Sequence, residues 1–134
     1  MADYEQMTDR ELEELSTERF GNPKPTIPAS IYRVEPGWVS VGSNRGFVWI
    51  PKLAYATNPA ASAQLRDKMR ELGWLDTTQR MRSIPGMTRA EMTRAEFWKE
   101  DGCIESVGQC LHPVDERARL TAALRALDTE AGRG

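Results

Sequence analysis

Four arginines and a tryptophan are the residues of this chain best suited to chemistry. Arg80 and Arg82 lie in "LDTTQRMRSI", Arg89 and Arg94 in "MTRAEMTRAE", and Trp98 follows in "EFWKED". A guanidinium is a flat, permanently charged fork that holds phosphate or carboxylate at two points and stacks on aromatic faces. Arginine beside tryptophan is also a recurrent anchor of protein interfaces. If both stretches are extended, the two-residue period of a strand puts Arg80 and Arg82 on one face, and Arg94 with Trp98 on one face of the next arm. Arg80, Arg82, Arg89, Arg94 and Trp98 therefore form the candidate partner-binding set. The competing reading is a solvated sheet face.

Other chemistry is harder to assemble. His112 is the single histidine, and its nearest serine, Ser106, has no nucleophile-elbow sequence around it. A structural zinc site needs four ligands, and only Cys103, Cys110 and His112 are available without carboxylates. The two cysteines lie seven apart, the wrong spacing for a redox pair, and read as buried free thiols. "GSNRG" joins strand to strand, so no helix N-terminus follows it to complete a phosphate cradle. Carboxylates such as Asp67, Asp76 and Glu91 give no reason to choose a pair. The expectation is no catalytic residue, no metal and no cofactor, so enzyme activity is not the leading reading.

Composition narrows the class further. The 134 residues suit one domain, 40% hydrophobic and 28% charged. No apolar run approaches the ~20 residues of a membrane span, and the acidic start is unlike a signal peptide. A soluble, cytoplasmic protein is expected. Residues 1–20 carry seven acidic groups against Arg10 and Arg19, a net −5; residues 21–100 carry twelve basic against seven acidic, a net +5. A pI near 5.5 argues against nucleic acid as a partner.

The elements that must position these residues announce themselves by caps and periods. Thr8 with Glu11 makes a capping box, Met7 and Leu12 a hydrophobic staple, and Gly21 a stop, giving an acidic N-terminal helix over 1–21. "GNPKPTIPAS" is a Pro-rich linker (22–30). "WVSV" and "FVWI" flank a five-residue loop, Gly42–Gly46, as a hairpin. Asn58 caps a helix with Pro59 in its first position and Gly73 at its end. Ala61, Leu65, Met69 and Leu72 form its apolar stripe, and Arg66 belongs to the outer face. Trp74 should pack beneath it, against strand residues such as Trp98 or Ile104.

Residues 75–84 read as a strand. The duplicated "MTRAE" fits no structural period, but 92–99 must be extended if "EFWKEDGCIESVGQC" is a hairpin turning at Glu100–Gly102. Pro113 suits the first position of a last helix with Leu120, Leu124 and Leu127 on one side, followed by a flexible tail at 129–134. The expected fold is α+β: a small, mostly antiparallel sheet covered by helices in an α–β–α layered sandwich, with 31–128 as its core.

That order resembles the phage ABA-sandwich family of small bacteriophage proteins. The resemblance is carried by the acidic "MTDRELEEL" helix; by Tyr55, Thr57 and Asn58 opening a helix that closes on Gly73-Trp74; and by Pro113 leading into a helix with Ala118, Ala122 and Ala123. It covers most of 1–20 and 50–128. It implies a phage or prophage source and brings no catalytic residues. The expected function is a phage-encoded accessory protein that binds a macromolecular partner, a host or phage protein, with inhibition of a host defence such as a CRISPR–Cas complex as one form. The alternative is a small nucleotide- or phosphate-binding protein or enzyme built on Arg80, Arg82 and Arg94.

Overall fold

The computed structural model describes residues 3–24, 32–35, 38–43, 46–51, 53–81, 91–101 and 104–133. A short 3-10 turn (Tyr4–Gln6) leads into α1 (Asp9–Phe20). Three strands follow, β1 (Tyr32–Glu35), β2 (Trp38–Ser43) and β3 (Gly46–Pro51), then α2 (Pro59–Glu71). The chain continues through β4 (Leu75–Met81), β5 (Met92–Asp101) and β6 (Ile104–His112) into α3 (Asp115–Arg133). The strands make two separate antiparallel sheets, ordered β1-β2-β3 and β4-β5-β6. The fold is α+β, with helices packed on the second sheet.

The caps form where the sequence places them. Thr8 Oγ1 accepts from the Glu11 amide and Glu11 reaches back to the Thr8 amide, closing the capping box. Asn58 Oδ1 accepts from the amides of Ala60 and Ala61. The end of α2 is a Schellman motif: the Trp74 amide donates to the Met69 carbonyl and the Gly73 amide to Arg70. Gly73 sits at φ +93, where a Cβ would be strained. The motif turns the chain so that Trp74 enters the core directly behind Met69, and both are buried.

On β5 the buried positions alternate, Thr93, Ala95 and Phe97, and register extends that face to Asp76 on β4 and to Gly108 and Cys110 on β6. α3 lies against this face, and α2 meets it through Asp76. α3 is buried on nearly every side (Ala118, Leu120, Thr121, Ala122, Ala123, Leu124 and Ala126 are all buried) because α1 and α2 close over the side turned away from the sheet. The order is sheet, then α3 with α2, then α1. The opposite face of the sheet presents Leu75, Met81 and Leu111, all exposed.

Several boundaries differ from the sequence reading. β2 and β3 pair out to Ser43 and Gly46, so Gly42, Ser43 and Gly46 of the expected five-residue loop belong to the strands. Pro113 precedes α3, whose first helical bond runs from the Ala118 amide to the Val114 carbonyl, and α3 continues through the expected tail to Arg133. Leu72 is exposed, because it is the C-cap of α2 and lies beyond the last turn that packs on the core. Trp98 is not beneath Trp74: its register partner Leu75 belongs to the open face, and the Trp74 ring instead lies under Lys99 Nζ at 4.9 Å. The side chain of Ile104, residues 25–30 of the linker, and residues 82–90 fall outside what is described.

Candidate functional site: an open sheet face

The sheet separates the candidate arginines. Arg80 pairs in register with buried Thr93, so it lies on the helix-bearing face at its margin. Its guanidinium donates to Thr93 Oγ1 (2.8 Å), the Pro113 carbonyl (2.6 Å) and Asp115 Oδ1 (3.1 Å), and meets Glu91 at 3.4 Å. Thr93 also donates to Asp115. Arg80 thus ties the end of β4 to the start of α3. Two carboxylates in the first turn of α3, Asp115 and Glu116, also favour the positive end of that helix's dipole.

Arg94 pairs with Gln79 and Leu111, on the opposite face. Arg80 and Arg94 therefore cannot converge on one ligand across the thickness of the sheet. Arg94 and Trp98 do share a face, and Arg94 reaches Glu96 at 3.6 Å. Arg82 and Arg89 lie outside the described residues.

The face around Arg94 is unusual for its apolar content. Register aligns Leu75, Trp98 and Val107 in one row, Thr77, Glu96 and Gln109 in the next, Gln79, Arg94 and Leu111 in a third, and Met81 with Met92 in a fourth. Leu75 is 57% exposed, Leu111 47% and Met81 42%. Scattered exposed apolar residues are ordinary; several on one sheet face beside an arginine and a tryptophan match the make-up of interface centres. The sequence flagged Arg94 and Trp98 but not these neighbours, because an exposed leucine and a core leucine look alike in a short strand. The alternation Leu75, Thr77, Gln79, Met81, mixed in polarity, was the available signal.

Most other described arginines and lysines are structural clasps. Arg66 and Arg70 of α2 bracket Asp76, whose side chain is only 3% exposed, at 2.7 and 3.3 Å. Arg66 is therefore an ion-pair partner rather than a free outer-face residue. Arg117 binds Asp9 and the Met7 carbonyl, Arg119 donates to Ser62 (2.5 Å), Arg125 pairs with Glu5, and Lys99 with Glu130. Lys68 donates to the Phe20 carbonyl and to Tyr55 Oη, closing the end of α1 onto α2.

The remaining chemical candidates are equally structural. His112 Nδ1 accepts from the Val114 amide at 3.0 Å, which caps the approach to α3. Cys110 is a free, buried thiol, and burial pushes its pKa up, away from the nucleophilic thiolate. Cys103 lies outside the described residues. A cleft of about 590 Å³ lies beside α1, lined by Arg10, Glu13, Glu14, Leu53 and Tyr55 among others. Partial burial raises the Glu13 carboxyl, but the lining holds no histidine, cysteine or serine to act with it. Among the described residues no three His, Cys, Asp or Glu side chains gather as a metal site, and no helix is long and apolar enough to cross a membrane.

Comparison with protein-family models, curated proteins and solved structures returns no match for this chain.

Proposed function

We propose that this protein is a phage-encoded accessory protein that acts by binding another protein of the host or phage, through the open face of β4–β6. One observation carries the reading: the sheet has one face sealed by α3 and α2, and another that presents Trp98, Leu75, Leu111 and Met81 around Arg94. Water-exposed apolar surface next to a charge-paired arginine gains free energy when a partner desolvates it. The cytoplasm of an infected cell is the setting, and inhibition of a host defence such as a CRISPR–Cas complex is one form the activity takes. The phage assignment rests on the sequence resemblance.

The phosphate-binding alternative is the weaker reading, because Arg80 is held by Asp115 and Glu91 on one face while Arg94 lies on the other. Affinity capture from bacterial lysate at physiological salt tests the preferred reading. Wild type should enrich a specific protein that Arg94→Glu fails to retain. Equal capture by both proteins, or no enrichment by either, refutes it. Tight, saturable nucleotide binding would favour the alternative, since ligand near 100 Kd adds about 2.7 kcal/mol of stability.

A further inference from the structure

The two edges of the β4–β5–β6 sheet are treated differently. On the β6 edge, side chains from α3 cover backbone acceptors: Arg125 donates to the Gln109 carbonyl at 2.8 Å and Thr129 to the Val107 carbonyl at 3.2 Å. Among the described residues, no side chain caps the backbone of β4. Nor does β4 carry the usual defences of an exposed edge. Its register with β5 runs unbroken from Leu75↔Trp98 to Met81↔Met92, so it has no bulge. It contains no proline and no lysine, and its two charges, Asp76 and Arg80, are both held by ion pairs within the chain. Such an edge is a template for another strand.

The sequence of β4 indicates which strand. An antiparallel copy of "LDTTQRM" centred on Thr78 sets Leu75 against Met81, Asp76 against Arg80, and Thr77 against Gln79, with Thr78 on the axis. Apolar meets apolar, acid meets base and polar meets polar at every position. The flanking charges obey the same symmetry. The start of β4 has Arg66 and Arg70 around Asp76, two cations to one anion; its end has Glu91 and Asp115 around Arg80, two anions to one cation. A two-fold axis at Thr78 brings the start of one strand beside the end of the other, so unlike charges meet. Closed two-fold dimers require this kind of self-complementary patch.

From an edge that no described side chain caps, and from its self-complementary pattern, we infer that β4 pairs antiparallel with β4 of a second copy of this chain about Thr78. The product is a dimer with one continuous six-stranded sheet. The open faces of the two copies then form a single surface, with the Leu75 and Met81 rows meeting at its centre.

Light scattering over a concentration series, with purified full-length chain, tests this independently of any binding partner. Wild type should approach twice the 15.1 kDa chain mass. Thr77→Lys combined with Gln79→Lys sets lysine against lysine at both symmetry-related positions and should weaken association by about tenfold or more. Thr77→Lys combined with Gln79→Glu sets opposite charges there and should associate at least as tightly as wild type. Circular dichroism checks that each variant is folded. If the double-lysine variant does not fold, the Lys/Glu variant alone decides. A wild-type mass that stays at one chain, a dimer indifferent to the double-lysine change, or weaker association of the Lys/Glu variant each overturns the inference.

Discussion

Gly108→Ala should be among the most damaging single-methyl additions this protein can receive. Gly108 lies mid-strand in β6 on the face turned to α3, and its space is occupied by helix backbone. A Cβ built there lies 2.7 Å from Ala126 Cα, and the Ala122 carbonyl oxygen and Ala126 amide nitrogen are closer still. Ordinary carbon contacts lie at about 3.5–4.0 Å, so α3 must retreat from β6 by roughly 1 Å. No rotamer change relieves the clash, because the obstructing atoms are main chain.

A gap of that width forfeits about a quarter to a half of each dispersion contact across it, and the α3–sheet layer includes Ala118, Ala122 and Ala126 against Ala95, Phe97 and Cys110. Overpacking ordinarily costs about 1–3 kcal/mol. The rigidity of the obstruction places this case at or above the upper end, about 3 kcal/mol of the ~5–15 kcal/mol typical of a whole domain. Urea denaturation followed by circular dichroism measures it as a fall in midpoint at unchanged slope. A loss below about 1 kcal/mol would mean that α3 does not approach β6 as described, and the layering would need to be redrawn.

Three further predictions concern the framework. Leu65→Ala, which empties a fully buried site under α2, should cost about 2–5 kcal/mol by urea unfolding, whereas Asn58→Ala should cost about 1 kcal/mol through the lost cap. Asp76→Ala should destabilise more than Arg66→Ala in the same assay, because removing the carboxylate leaves both arginines unpaired while removing Arg66 leaves Arg70 in place. Tyr4, buried and donating to Asp128, has its pKa raised to about 12 by burial first and by that hydrogen bond second. Its folded value lies above its unfolded value near 10, so its contribution is complete below pH ~10 and is lost as pH rises toward ~12. Tyr4→Phe should therefore flatten the alkaline fall in stability relative to wild type, and identical alkaline profiles would refute this.

What was legible in the sequence followed local physics. Thr8 with Glu11, Asn58 with Pro59, and Gly73 before Trp74 each act within a few residues, and each forms in the structure as the sequence indicates. The strand assignment for 92–99 came from needing a partner for the following hairpin arm, a constraint of pairing rather than propensity. Properties set by neighbours distant in sequence were harder to read. Nothing within "TTQRM" says that Arg80 turns toward Asp115, thirty-five residues on, while Arg94 points the other way; β4–β5 register decides that. Gly108 had one signal, an isolated glycine within a strand, which indicates close backbone approach. Arg66 looked like solvated helix surface because its partner, Asp76, lies beyond the turn at Gly73. The open face stayed hidden because periodicity reports that a strand has two faces without saying whether both are covered.

The most direct measurement puts Leu111→Glu through unfolding and partner capture together. Leu111 lies on the open face, on β6, away from the proposed dimer edge. If the helix-bearing face builds the domain and the open face binds, the variant should unfold within about 0.5 kcal/mol of wild type and lose the captured protein. A variant that unfolds several kcal/mol more easily, or that captures the partner as well as wild type does, would contradict the division of labour between the two faces.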